Sequence, residues 1–150
     1  MYTNSPQSLW LHDGVGADVL HHIAKGYRMM SFKVVIAGGR SFSDYKLLVS
    51  KMDSLLKTKI AEGYEITIIS GTANGADKLG ERYAESREFQ LIQMPAQWDT
   101  YGKSAGYRRN LEMADIADGI VVFWDGKSKG TKHMHDIGIR MSLPTKVVNY

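Results

Sequence analysis

Apolar residues along the chain follow two alternating rhythms. Five short runs, at 32–37, 65–69, 89–94, 119–124 and 146–149, are apolar or β-branched and read as buried strands. Between them, apolar residues recur every three or four positions, as on one face of a helix. Over 45–61 that face is marked by Leu47, Leu48, Met52, Leu55, Leu56 and Ile60, with Ser43 or Asp44 as N-cap and Gly63 as stop. Further helices are predicted at 76–87, 104–117 and 131–141, while 96–102, after Pro95, reads as an irregular aromatic connection. Alternating strands and helices with short links predict right-handed βαβ units, hence a parallel sheet. Continuously apolar strands imply that helices cover both faces. The expectation is α/β: a single three-layer Rossmann-like domain over residues 31–150, strand order 3-2-1-4-5. Residues 1–30 form a separate N-terminal extension, polar at first, in which Leu20, Ile23, Ala24 and Tyr27 outline a short helix over 17–27. It reads either as a docking helix or as a leader, with a start at Met29 or Met30.

This topology decides where ligand chemistry can sit. Every strand-to-helix loop of a parallel sheet emerges at the carboxyl edge, and ligands bind there where the strand order reverses, here between the first and fourth strands. Glycines, hydroxyls and cations concentrate in these loops, whereas the opposite rim has little beyond 62–63 and 87–88. Backbone N–H groups and helix N-termini at such a rim favour anions. The candidate ligand-binding residues are therefore Gly38, Gly39 and Arg40 after the first strand, and Ser70, Gly71, Thr72, Asn74, Gly75 and Asp77 after the second. Trp98 and Tyr101 follow the third, with Arg108, Arg109 and Asn110 on the next helix. Trp124, Asp125, Lys127, Ser128, Gly130 and Thr131 follow the fourth. The arginines suit bidentate contact with phosphate or carboxylate, and Trp98, Tyr101 and Trp124 suit stacking on a ring. Each has a plainer reading beside it. Gly38 and Gly39 fit a tight turn with positive φ, Asn74-Gly75 turn chemistry, Asp77 a helix-dipole acid and Trp124 the core.

Composition removes several alternatives. The chain has no cysteine, which excludes disulfides, thiolate catalysis and cysteine-based zinc sites. A formal charge of +3, with its cations scattered, leans toward small anions and provides no nucleic-acid arm, so nucleic acid is not an expected partner. The Walker pattern and the full dinucleotide fingerprint are both missing. His133, His135 and Asp136 resemble a metal cluster, but residues two apart on a helix diverge, so no metal and no cofactor are expected. No run approaches membrane-spanning length, and a cytoplasmic protein is the expectation.

Taken together, GGRSFSD, SGTANGADKLGERYA, PAQWDTYGKSAGYRRNLEMADIAD and FWDGKSKGTKHM resemble the SLOG superfamily, specifically its YspA-related branch, over 32–150. The resemblance implies a Rossmannoid fold that binds nucleotides or nucleotide-derived ligands, and homo-oligomers. In that superfamily LOG-type phosphoribohydrolases cleave the N-glycosidic bond of nucleoside monophosphates with an arginine and a glutamate. Other members sense nucleotide signals, and DprA-type members bind single-stranded DNA. Gly130-Thr131 match the glycine-threonine pair of the LOG motif, and Arg109 is the counterpart of the arginine. Met134 stands in the slot of the glutamate, and Asp125-Gly126-Lys127-Ser128 replaces the proline-glycine-glycine entry. Catalysis would need another carboxylate near the anomeric carbon. Asp44, Asp77, Asp125 and Asp136 are the aspartates available, and Arg109, Asp125 and Asp136 are the catalytic candidates. The leading expectation is a binding protein, a sensor or sequestering protein for a nucleotide signal. The alternative is an N-glycosidase acting on a nucleoside phosphate or nucleotide sugar, with an aspartate in place of the glutamate.

Overall fold

The computed structural model describes residues 30–150; the helix expected over 17–27 lies outside them. β1 (Ser31–Gly38), β2 (Glu65–Ser70), β3 (Gln90–Gln93), β4 (Gly119–Trp124) and β5 (Thr145–Asn149) form one parallel sheet in the order β3-β2-β1-β4-β5. Val35 of β1 pairs with Ile69 of β2 on one side and Ile120 of β4 on the other. The helices are α1 (Tyr45–Ala61), α2 (Ala76–Arg87), α3 (Trp98–Tyr101), α4 (Ala105–Ile116) and α5 (Lys129–Arg140).

Successive strand side chains point to opposite faces, so the apolar runs are divided between two cores. Val34, Ile36, Ile66, Ile68, Val121 and Phe123 pack with Leu48, Met52, Leu56 and Tyr83 from α1 and α2. Val35, Ala37, Ile69, Ile120 and Val122 pack with Met113, Ala114, Met134 and Ile137 from α4 and α5. Sheet and helices thus make three layers. On the first face Arg87 of α2 grips both carboxylate oxygens of Asp53 in α1 at 3.2 and 2.7 Å, and the Tyr83 hydroxyl donates to the same carboxylate at 2.7 Å. The Arg87 contact holds the Asp53 carboxyl below its usual range. Among the described residues no helix is long and apolar enough to cross a membrane.

Three local expectations need correction. β3 is not a buried apolar strand: it is the four-residue edge QLIQ, mostly exposed, and Phe89 lies before it with its ring 5.8 Å from that of Tyr83. An edge strand has one neighbour to bury against, so polar residues are tolerated there. The segment at 96–102 contains a helical turn, α3, which runs through the 3₁₀ turn Gly102–Ser104 into α4. Four residues are too few to display a helical period. α5 begins at Lys129, two residues earlier than expected, because Ser128 caps it by accepting from the Thr131 N–H. Asp44 is the cap of α1, accepting from the Leu47 N–H at 3.0 Å.

One glycine on each face sets the helix-to-sheet distance. A Cβ on Gly80 of α2 would stand 3.0 Å from Cβ and Cγ2 of Ile36, and one on Gly138 of α5 would overlap the Thr145 hydroxyl. Helix propensity alone favours alanine over glycine by roughly 1 kcal/mol, while overpacking costs about 1–3 kcal/mol. Gly138→Ala is therefore expected to lower the urea midpoint of unfolding. A raised midpoint would contradict the close approach of α5 to β4 and β5.

Candidate functional site

At the carboxyl edge, where β1 and β4 run side by side but their connections diverge, a cleft of about 540 Å³ opens. Four chain segments contribute to its wall: Ala37 to Ser41 at the end of β1, Ala73 and Asp77 after β2, Trp98 with one side of 103–113 from α3, the 3₁₀ turn and α4, and Asp125, Ser128, Gly130, Thr131 and Met134 from the β4–α5 connection and α5. Three cations (Arg40, Lys103, Arg109), two carboxylates (Asp77, Asp125) and two large aromatics (Trp98, Tyr107) share the wall. Concave sites of about 300–1,000 Å³ with a few convergent polar groups are typical of small-molecule binding.

The first two loops interlock through one carbonyl. Gly39 O accepts from the N–H groups of Phe42 and Ala76, both at 3.2 Å, so the first N–H of α2 is taken up by the chain itself. Gly75 has φ 82°, and a Cβ there would collide with the backbone of Gly39 and Arg40. Positive φ therefore falls on Gly75 and not on Gly38 or Gly39. Those two are glycines for space: a Cβ would strike the Phe123 carbonyl and Ala76 at the first, and the Tyr150 hydroxyl at the second. Thr72 adopts φ 67°, rare for a β-branched residue. Its N–H donates at 3.0 Å to the buried Ser70 hydroxyl, which donates to Glu81 at 2.7 Å.

Arg109, on α4, reaches across to the ends of β2 and β3. Its Nη1 donates to the carbonyls of Gly71 and Met94, and its Nε to Asn110 Oδ1 at 3.1 Å. Gly71 is small for this reason, since a Cβ there would stand 2.7–2.8 Å from the guanidinium and from Asp77 Oδ2. Burial depresses the Arg109 pKa, nearby Asp77 opposes that, and Arg40 adds to it. Asp77, in the first turn of α2, is buried and accepts from the Ala73 N–H at 3.2 Å. Burial raises its carboxyl to about 6, against the pull of the Ala73 N–H, Arg109 and Arg40.

The fourth segment is built otherwise than a phosphate loop. Asp125 Oδ1 accepts from the N–H groups of Lys127 and Ser128 at 2.8 and 2.9 Å, which lowers its pKa. The Ser128 hydroxyl accepts from the Thr131 hydroxyl at 2.9 Å. Trp124 donates its indole N–H to the Ser128 carbonyl at 3.0 Å and does not line the cleft, so it braces the turn rather than offering a stacking face. Lys127 is likewise outside the lining, as are Ser70, Gly71, Thr72, Asn74, Gly75, Tyr101 and Arg108. Arg108 stacks on Tyr101, 4.4 Å from the ring centroid, and donates to Ser104. Asp44 caps α1, and Asp136 is held by Lys132 at 2.7 Å and His135 at 3.0 Å, so neither belongs to the cleft. Of the aspartates considered, Asp77 and Asp125 line it. Lys103, Tyr107, Ser41, Ala73 and Met113 line the cleft without having been singled out from the sequence. Placing the start of α4 against the rim would have indicated the first two.

The Asp77 environment has a measurable consequence. Its proton is held more tightly in the folded protein than in the unfolded chain, where the carboxyl titrates near 3.8. The stability this brings is complete below about pH 4 and is lost as pH rises through about 6. Asp77→Asn is expected to be more stable than the wild type at pH 8, by up to roughly 2–3 kcal/mol, and equal to it near pH 4. Urea unfolding at the two pH values checks this, and an equal effect at both would contradict it.

Residues 32–101 match the family model described as YspA, cpYpsA-related SLOG family. The match spans the first two rim loops and α3, and ends before α4 and the β4–α5 turn. The chain is 29% identical over 124 residues to the Gene 61 protein of Mycobacterium phage D29, covering 79% of this chain and 95% of that protein. The solved structure of DNA processing protein A (DprA) from Streptococcus pneumoniae overlaps 80% of this chain at a TM-score of 0.44 and 16% identity, and the overlap spans 59% of that chain. The rim loops after β1 and β2 that shape the cleft thus lie within the stretch that matches the YspA, cpYpsA-related SLOG family model.

Proposed function

We propose that the protein binds a nucleotide or nucleotide-derived ligand in the cleft between β1 and β4, as a sensor or sequestering protein for a nucleotide signal. The observation that carries this reading is the convergence of Arg40, Lys103 and Arg109 from three chain segments on one cleft that also presents Trp98 and Tyr107. The cations suit phosphate, and Trp98, 51% exposed at the mouth, offers a ring face to a base. Asp77 and Asp125 are acceptors for sugar hydroxyls. The match to the SLOG family model supports a nucleotide-related role and leaves the ligand to be identified. Calorimetry against nucleoside mono- and diphosphates, ADP-ribose and cyclic nucleotides tests the reading, and failure of all of them to bind at millimolar concentration would sink it. Arg40 has fewer structural duties than Arg109, so Arg40→Ala is the cleaner variant. It is expected to weaken binding about 10- to 100-fold, the equivalent of one charge-assisted hydrogen bond, without lowering stability.

A second reading is favoured by Asp77. A buried carboxylate on the cleft wall, beside an arginine and with its pKa pushed up to about 6, is suited to general acid–base work. In this reading Asp77 replaces the glutamate of the LOG motif, whose slot is filled by Met134, only 1% exposed. N-glycosidase activity would release free base from a nucleotide pool, and Asp77→Asn would abolish the release. Wild-type protein that liberates no base removes this reading and leaves the first intact. The homo-oligomer belongs to the same proposal; light scattering that finds a monomer at every concentration removes it.

A further inference from the structure

His133 does not line the cleft, yet it is joined to Arg109 through one amide. The guanidinium keeps its protons throughout the physiological range, so the Asn110 atom 3.1 Å from Arg109 Nε must be the amide oxygen. The amide nitrogen then points the other way. It meets His133 Nδ1 at 3.1 Å and donates to the Gly130 carbonyl at 3.4 Å. A donor at that position requires Nδ1 to be an acceptor, which leaves the ring neutral with its proton on Nε2. Asn110 is only 7% exposed, so water has little room to repair a lost contact.

We propose that His133 is a positioning residue for the cleft. In its neutral form it holds the Asn110 amide in the one orientation that gives Arg109 Nε an acceptor, and a proton on Nδ1 withdraws that support. With Nδ1 protonated, the ring and the Asn110 amide nitrogen are both donors. Turning the amide over satisfies His133 but sets the same nitrogen against Arg109 Nε, again donor against donor. One of the two contacts must be lost, and Arg109 is left with its Nη1 bonds to Gly71 and Met94.

The surroundings set the direction. On α5, Arg140 opposes a proton on His133 and Asp136 favours it. On α4 the ring faces Tyr107, 4.3 Å between centroids, and, behind Asn110, the Arg109 guanidinium. Burial acts first and, with Arg140, keeps His133 below its usual pKa, so the relay is intact at neutral pH and fails on acidification. Its effect on ligand binding rests on the cleft being the anion site, whereas the relay itself does not.

Nitrogen-15 NMR of the unliganded protein from pH 8 to pH 5 separates the two. The Asp77→Asn background is used because Asp77 titrates near 6 beside Arg109. The expected result is a His133 proton on Nε2 at pH 8, with the Arg109 Nε–H and Asn110 amide resonances shifting at the His133 midpoint. In His133→Phe those two resonances lose that midpoint. A proton on Nδ1 at pH 8, or Arg109 and Asn110 resonances that ignore the His133 titration, overturns the proposal, and no change at His133 is needed to see either. With AMP as calorimetric probe, the wild type is expected to lose 3- to 10-fold more affinity between pH 8 and pH 5 than His133→Phe. Equal losses overturn the proposal as well. If AMP fails to bind even at pH 8, the cleft reading fails and the NMR result alone decides the relay.

Discussion

The Arg109 guanidinium donates from Nη1 to the carbonyls of Gly71 and Met94 and from Nε to Asn110, and Asn110 passes the connection to Gly130 and His133. Four pieces of the rim that are distant in sequence are thereby tied to one side chain: the loop after β2, the end of β3, α4 and the first turn of α5. The rest of the site follows from that tie. Gly71 has to be small to admit the guanidinium. Asp77 lies close enough to feel its charge. Tyr107 and Lys103, on the same stretch of chain as Arg109, share the cleft with the β1 loop. Arg109 is therefore partly spent on structure, with Nη2 its only nitrogen lacking a protein partner among the described residues, and in the proposed reading Arg40 and Lys103 share the work of attracting an anion.

The same economy holds for the backbone. A strand-to-helix rim binds anions by leaving N–H groups unpaired, but here several are already engaged. Gly39 O takes the first N–H of α2, and the Asp125 carboxylate takes those of Lys127 and Ser128. An internal carboxylate sits where a phosphate would bring its own charge. In the proposed reading, anion affinity in this cleft would rest more on side-chain cations than on a backbone cradle, which is the main physical difference from the expectation formed on the glycine-rich loops.

Much of this was legible in the order of the residues. β-branched runs separated by helical periods dictate a parallel sheet, and a parallel sheet sends the four polar loops to one edge. Strand order and cleft position follow. What was not legible depends on contacts no period reports. Arg108 and Arg109 are adjacent, yet a helix turns one toward Tyr101 and the other into the rim. Trp124 ends a strand at the rim, but its indole is used to hold Ser128. Asp136 falls on the outer side of α5 with Lys132, while Asp77, which reads as an ordinary first-turn acid, is the buried carboxylate of the site. α3 is a single turn, and Lys103 and Tyr107 reach the cleft only because that turn redirects the chain into α4.

The central claim is that a nucleotide-derived anion occupies the β1/β4 cleft. It is tested most directly by a crystal structure of the protein grown with AMP or ADP-ribose at saturating concentration. The account predicts phosphate oxygens within hydrogen-bonding distance of at least one of Arg40, Lys103 and Arg109, and the base against Trp98 or Tyr107. A nucleotide seated elsewhere on the protein, or a cleft empty at saturation, would contradict it.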